Sequence, residues 1–254
     1  GFELWMAVVE TGIGLLATLI LLLVYYRKFF QPFFKFIPKF EIHWKDEIWP
    51  MQWRLAVGGF LNYFLFSIYT PVLFHYHGPV VAGQMGMTWQ IIMALSSLAM
   101  AWVATKVPRF GILIAQKNYV ELDRIFFRTS AVSIAVIGIG GFVLWSIIYG
   151  LNVFNYSLAE RVLAPLPTGL FLIGAMLGQV SVCQSSYLRA HKKEPFFVLS
   201  IIYSLSNGIL VWLLIPKYGS LGASIGYLVA VSLICIPMGT LIWIRCRSEW
   251  HLQN

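Results

Sequence analysis

Residues 55–105 read LAVGGFLNYFLFSIYTPVLFHYHGPVVAGQMGMTWQIIMALSSLAMAWVAT, a run of 51 residues without one Asp, Glu, Lys or Arg. A helix rises about 1.5 Å per residue and needs about 20 apolar residues to cross a hydrocarbon core of about 30 Å. The run is therefore too long for one crossing and suits two. His75-Tyr76-His77-Gly78-Pro79 supplies the turn between them, because a Gly-Pro pair interrupts a helix. Leu55–Phe74 and Pro79–Thr105 are read as a transmembrane hairpin. Five further charge-poor runs extend the pattern in both directions: Gly1–Tyr26, Thr129–Tyr149, Val162–Leu188, Pro195–Leu214 and Tyr218–Ile244. The last two are joined through Pro216-Lys217-Tyr218-Gly219. The expected fold is an all-α polytopic membrane protein with seven transmembrane helices.

The totals agree. Hydrophobic residues make up 59% of the chain, charged residues 11%, and the mean hydropathy is +0.77. Soluble domains carry about 25% charged residues, so this composition excludes a water-soluble fold. The charges also have a side. With the N-terminus outside, 16 of the 18 Lys and Arg residues fall in cytoplasmic segments. These are Arg27, Lys28, Lys35, Lys39, Lys45 and Arg54, then Lys106, Arg109, Lys117, Arg124 and Arg128, then Arg189, Lys192 and Lys193, and finally Arg245 and Arg247. Only Arg161 and Lys217 lie outside. The positive-inside rule selects this orientation, with the C-terminus in the cytoplasm. The net charge of +8 is thereby accounted for by the anionic lipid surface, and no nucleic-acid partner is expected. Cys183 and Cys235 lie within spans and Cys246 in the cytoplasm, which argues against a disulfide framework or a zinc site.

Four segments follow. Residues 1–26 form a leading transmembrane helix, 27–53 a cytoplasmic interfacial linker, 54–245 a six-helix lobe and 246–254 a cytoplasmic tail. The linker contains FFQPFFKFIPKFEIHWKDEIWPMQW (residues 29–53), whose aromatic rings and lysines suit the headgroup layer and whose prolines forbid one long helix. A short amphipathic helix is expected at Tyr119–Phe127, within the loop Lys106–Arg128. The chain opens Gly-Phe-Glu-Leu-Trp, without Met or the features of a signal peptide, and is read as the C-terminal part of a longer protein.

Polar groups inside spans are costly and mark candidate sites. Glu10 is the one carboxylate well inside a span, and is read as a coupling-ion site or as a carboxylate hydrated near the surface. Arg54, Gly58 and Asn62 follow at four-residue steps, with Tyr69 further along the stripe. That face lines a polar cleft in which Arg54 receives a phosphate or carboxylate, or it packs against a helix below a snorkelling arginine. Small residues and hydroxyls elsewhere, such as Gly222 and Gly226, suit close helix packing. The amides Asn62, Gln84, Gln90, Gln179 and Asn207 are the candidates for a substrate pathway. No nucleophile–base pair, metal-ligand cluster, phosphate loop or redox motif occurs, so no catalytic residue, metal or cofactor is expected.

Three stretches carry a family resemblance. Lys217-Tyr218-Gly219-Ser220-Leu221-Gly222-Ala223-Ser224-Ile225-Gly226-Tyr227 fits the pattern K-x-G-x-x-G-A-x-x-[AG]-Y. Ser186-Tyr187-Leu188-Arg189-Ala190-His191-Lys192-Lys193-Glu194-Pro195 is a basic turn, and Trp49-Pro50-Met51-Gln52-Trp53-Arg54 leads into the first hairpin, which ends in Gly78-Pro79-Val80-Val81-Ala82-Gly83-Gln84. Together they make the chain resemble the C-terminal half of a polysaccharide flippase. The family is that of the O-antigen and exopolysaccharide exporters in the MATE-like superfamily that includes the lipid II flippase. The resemblance implies two six-helix lobes joined by a cytoplasmic linker, with the leading helix here as the last helix of the first lobe. It implies a bacterial plasma-membrane transporter, not an enzyme, that translocates a lipid-linked oligosaccharide for envelope polysaccharide synthesis. Its partners are membrane lipid and a missing N-terminal lobe. Members line a central cavity with cations that meet the substrate diphosphate, and only Arg54 is placed to do so here. The rival readings are an intramembrane enzyme of polysaccharide synthesis and a seven-helix receptor-like protein.

Overall fold

The computed structural model describes residues 2–25, 44 and 48–252. They divide into two units, residues 1–47 and residues 48–254. Within the first unit lies α1 (Phe2–Tyr25), whose apolar core is Gly12–Leu22. Most of the interfacial linker falls outside the described residues.

The second unit is a helical bundle: α2 (Trp49–Ser67), α3 (Tyr69–Ala104), α4 (Val107–Ala115), α5 (Tyr119–Val153), a 3-10 turn at Ser157–Arg161, α6 (Pro165–Ala190), α7 (Phe197–Ala230), a π turn at Val231–Cys235 and α8 (Ile236–Leu252). Every regular element among the described residues is helical. Four continuous stretches are long and apolar enough to cross a membrane: Met51–Ala115, Tyr119–Val153, Pro165–Ala190 and Phe197–His251. Large apolar side chains point outward along them, including Phe142 and Leu241, which a hydrocarbon solvent tolerates and water does not. The chain is thus an all-helical membrane protein.

Two of the long stretches contain a glycine in a conformation that ends a helix. Gly78 has φ +84° and ψ 178°, and Gly219 has φ +57° and ψ −133°. Neither conformation suits a residue with a Cβ. Past each glycine the chain doubles back. Phe66 stacks on Trp89 with ring centroids 4.9 Å apart, which places the chain before Gly78 against the chain after it. Gly222 and Gly226 lie against Leu214 and Leu210, so the arms flanking Gly219 also run side by side. Two apolar surfaces gain little by meeting in lipid, and close backbone approach at small residues supplies dispersion contact instead. The two reversals touch each other: His77 Nε2 donates to the Ile215 carbonyl at 2.7 Å, and the same ring lies against Gly219.

Smaller irregularities have local causes. Pro71 lacks the N–H that would bond Ser67, which accounts for the break between α2 and α3. Pro237 withholds a donor from Leu233, and Ser232 Oγ donates back to the Leu228 carbonyl at 2.7 Å. Together they accompany the π turn.

The expected amphipathic helix at Tyr119–Phe127 is not separate. It forms the first turns of α5, capped by Asn118, whose Oδ1 accepts from the Glu121 N–H at 3.2 Å. No Gly or Pro lies between Tyr119 and Thr129, so nothing stops the helix at Phe127. The separate short helix of that loop is α4, which Pro108 opens near its start. Helix α2 begins at Trp49, a few residues before the expected end of the linker.

Two clusters of buried side chains form the interior. One joins Tyr69, Met85, Phe171, Val211, Ala223 and Tyr227. The other joins Phe110, Phe126, Tyr187, Leu188 and Trp243 near the opposite end of the helices.

Candidate functional site

A cavity of about 360 Å³ borders both clusters. Its walls come from α2, α3, α6, α7 and the π turn. Helix α6 contributes one stripe: Gly178, Ser181, Val182, Ser185 and Arg189, at steps of three and four that share a helical face. Asn62 and Phe66 of α2 and Trp89 and Ser96 of α3 stand on other walls, with Ser200, Tyr203 and Tyr227 of α7. The volume is at the lower end of the range of about 300–1,000 Å³ usual for ligand clefts, enough for part of an oligosaccharide.

One wall is aromatic. Phe66, Trp89 and Tyr227 line it: Trp89 stacks on Phe66 at 4.9 Å and meets Tyr227 edge-on at 5.4 Å, while the fully buried Phe171 backs them from behind the lining, edge-on to Trp89 at 5.6 Å. Edge-to-face contacts hold these rings in fixed orientations. A rigid ring face can receive the C–H face of a sugar, while hydroxyls and amides around it exchange hydrogen bonds with the sugar's own hydroxyls. Gln179 is the best anchored of those amides. Its Nε2 donates to Ser133 Oγ at 2.9 Å, and Ser133 donates in turn to the Ala99 carbonyl at 2.7 Å. The relay links α6, α5 and α3 and fixes the amide at the cavity wall.

The charged group at the rim is Arg189. Its side chain is half exposed and grips Glu194 as a fork, Nε to Oε2 at 2.6 Å and Nη2 to Oε1 at 3.2 Å. The Glu194 carboxylate is 5% exposed and needs that partner. No hydrogen bond engages Arg189 Nη1 among the described residues, so this edge can meet an incoming anion. Glu194 orients the guanidinium, and it also offsets part of its charge.

The residues singled out from the sequence separate into several places. Asn62 and Gln179 line the cavity. Arg54 does not: it is exposed, with its guanidinium 5.8 Å from the ring centre of Trp53. Gln84 donates to the Glu160 carbonyl at 2.9 Å, tying α3 to the 3-10 turn, and Gln90 is exposed away from the cavity lining. Asn207 is fully buried, and its Oδ1 accepts from the Tyr69 hydroxyl at 2.8 Å, so it locks α7 to α3. Glu10 lies in α1, and its side chain is outside the described residues.

Sequence reasoning passed over Arg189 and the aromatic wall. The Arg189 signal is visible in retrospect as the small and polar stripe Gly178, Ser181, Ser185, Arg189, a polar face ending in a cation. The aromatic wall has no such signal, since Phe66, Trp89 and Tyr227 come from three different helices.

No protein-family model, curated protein or solved structure matches the chain. What the chain itself defines is a class: an all-helical membrane protein with a polar, aromatic-walled cavity inside its bundle.

Proposed function

We propose that the chain is part of a transporter that carries a lipid-linked saccharide across a bacterial plasma membrane. The observation that supports this best is the cavity, in which ring faces, neutral hydrogen-bonding groups and one rim guanidinium converge. A saccharide diphosphate presents the complementary set: C–H faces, hydroxyls and an anion. The resemblance of Lys217–Tyr227 to the flippase pattern adds support, because these residues make the reversal at Gly219 and the close contact at Gly222.

On this reading the glycine reversals divide residues 49–252 into six crossings, and the leading helix is a seventh. The end that carries Lys106, Arg109, Arg128, Arg189, Arg245 and Arg247 faces the cytoplasm, by the positive-inside rule. A preceding six-helix lobe completes the transporter, and the two lobes alternate access to the cavity by rocking against each other. Arg189 takes the phosphate role expected of Arg54. Gln179 and Asn62 meet sugar hydroxyls, and Glu10 couples an ion.

The test is translocation in vesicles that contain the purified protein and a polyprenyl-diphosphate saccharide, read by a membrane-impermeant lectin. Gln179→Leu and the pair Arg189→Gln with Glu194→Gln should each slow translocation by about tenfold or more, the scale of one lost charged or buried hydrogen bond, and Trp89→Leu should slow it by removing a ring face. The paired change avoids stranding a buried carboxylate. Arg54→Ala should leave the rate unchanged. Translocation indifferent to all three cavity changes would refute the assignment, and Glu10→Gln tests the ion-coupling role through the response to an imposed ion gradient.

A further inference from the structure

A second, strongly basic pocket of about 460 Å³ opens where α3 ends, α4 begins and α5 starts. Lys106, Arg109, Arg124 and Arg128 line it together with a single acid, Glu121. Glu121 is committed to Arg124 at 3.4 Å. Lys106, Arg109 and Arg128 have no acidic partner among the described residues. Helix α4 adds its positive N-terminal end beside Lys106, with no acidic side chain in its first turn. Three exposed, unpaired cations around one pocket repel each other, and an anion placed among them relieves that repulsion.

The remaining wall says which anion. Trp102, Ile125 and Val132 line the same pocket, and Trp102 and Val132 are exposed. On α5 the sequence changes from charged to apolar just past Arg128, and just past the end of α3 it changes from apolar to charged at Lys106. The pocket therefore straddles the boundary between hydrocarbon and headgroup, with cations on the wet side and Trp102 at the junction. A free phosphate has no use for the apolar wall, whereas a phospholipid fits both halves.

We infer that this pocket is a binding site for an anionic phospholipid that carries two phosphates in one headgroup. A singly charged headgroup would leave two of the three unpaired cations unmatched, and a doubly charged one leaves a single cation over. The lipid bridges α3, α4 and α5, the segment where the chain passes from one long helix to the next through a nine-residue helix. The site depends on the chain being embedded in a membrane and not on what the chain transports.

The experiment is native mass spectrometry of the purified full chain in detergent, titrated with cardiolipin, phosphatidylglycerol or phosphatidylethanolamine, and with inorganic pyrophosphate as competitor. Cardiolipin should bind at least about tenfold more tightly than phosphatidylethanolamine, with phosphatidylglycerol between them. Arg109→Gln with Arg128→Gln should weaken cardiolipin binding by about thirtyfold, at about one charge contact per arginine. Arg109→Lys with Arg128→Lys should keep most of the preference. Arg245→Gln, at an exposed arginine of α8 paired with Glu249, should not change it. Should the double Gln variant fail to fold, a salt titration of the unaltered protein decides, because the preference must fall as added salt shortens the screening length below about 10 Å. Equal binding of cardiolipin and phosphatidylethanolamine, a double Gln variant that binds like the unaltered protein, a preference unaffected by salt, or displacement by pyrophosphate as readily as by lipid would each overturn the inference.

Discussion

Replacing Gly222 with alanine tests the chain reversal at Gly219 directly. A Cβ at this position would lie 2.6 Å from the Leu214 carbonyl carbon and 3.1 Å from the Ile215 nitrogen. Both are backbone atoms of the preceding arm and cannot rotate aside, so the arms must part by several tenths of an ångström. They are also pinned nearby, through the His77 bond to Ile215. Overpacking of this kind costs about 1–3 kcal/mol, while alanine's advantage over glycine in a helix returns about 1 kcal/mol. The expected net loss is about 0–2 kcal/mol, or up to about 8 °C in midpoint for a chain of this size. Two other glycines calibrate the effect. At Gly226 the nearest atom is Leu210 Cβ at 3.3 Å, which the backbone fixes but which needs to give by only a few tenths of an ångström, so Gly226→Ala should cost less than Gly222→Ala. At Gly208 nothing lies within 4 Å, so Gly208→Ala should raise stability by about 1 kcal/mol. The assay is thermal unfolding of the purified protein in one detergent, followed by tryptophan fluorescence. A Gly222→Ala midpoint equal to or above that of Gly208→Ala would refute the close approach, and with it the hairpin.

Three further outcomes are expected. Arg247 holds Asp123 through Nε, at 3.1 Å from Oδ2, and through Nη2, while the Tyr187 hydroxyl lies 3.1 Å from Asp123 Oδ1. Arg247 is 36% exposed, so the pair is screened, and Asp123→Asn should cost about 1–2 kcal/mol, less than a fully buried pair. A double-mutant cycle with Arg247→Gln should return coupling of about 1 kcal/mol, and strict additivity would show that the contact contributes nothing. Lys192 sits at φ +58° after α6, a left-handed position that costs a non-glycine residue about 1 kcal/mol, so Lys192→Gly should raise the unfolding midpoint by a few degrees and not lower it. Burial holds the His191 pKa below the usual 6.5, with nearby His251 and Lys193 acting in the same direction against the Tyr187 carbonyl and Asp123. The unfolded chain then takes up the proton first, so stability should fall as pH drops below about 6.5 and level off once the pH passes below the folded value. His191→Gln should remove part of the difference in midpoint between pH 7.5 and pH 5.5, and an unchanged difference would assign it to other groups.

The helical class and the positions of both reversals could be read from the sequence because they depend on local chemistry. A 51-residue uncharged run exceeds one crossing whatever packs beside it, and Gly78 and Gly219 break helices wherever they occur with Pro79 or Pro216 close by. The division of labour among the polar residues could not be read this way. Asn62, Gln84, Gln90, Gln179 and Asn207 are equivalent as intramembrane amides, yet only Asn62 and Gln179 line the cavity. Asn207 closes a bond with Tyr69, 138 positions away, and Gln84 with Glu160, 76 positions away. Those partners depend on which helices adjoin, and periodicity within one helix contains no information about its neighbours. The same applies to the exchange of Arg54 for Arg189. Both are arginines near helix ends, and only the arrangement of the helices around the cavity decides which one stands at its rim.

The pattern of polar contacts within residues 48–254 also constrains how the proposed transport could proceed. At one end of the bundle, His77 fastens the first reversal to the second, and Gln84 and Thr88 fasten α3 to the backbone of residues 160 and 163. At the other end Asp123, Tyr187, Arg247 and His251 join α5, α6 and α8. Between them the Gln179–Ser133–Ala99 relay and the rings of Trp89, Phe171 and Tyr227 join α3, α5, α6 and α7. Opening the bundle at either end would break several of these hydrogen bonds at once, and each partly buried group left unpaired costs about 1–3 kcal/mol. A small rearrangement at the cavity alone would leave both ends closed. Cargo passage on the transport reading therefore requires this unit to move largely as one body, with the change of access arising at its border with another part of the transporter. Helix α6 supports the same view. It carries the cavity stripe and Arg189, yet its other faces are held by Ser133 through Gln179 and by Thr240 through Gln184. Gln179 and Arg189, two of the residues that would meet cargo, are thus mounted on a helix held on several sides, which suits a fixed binding site and does not suit a moving gate.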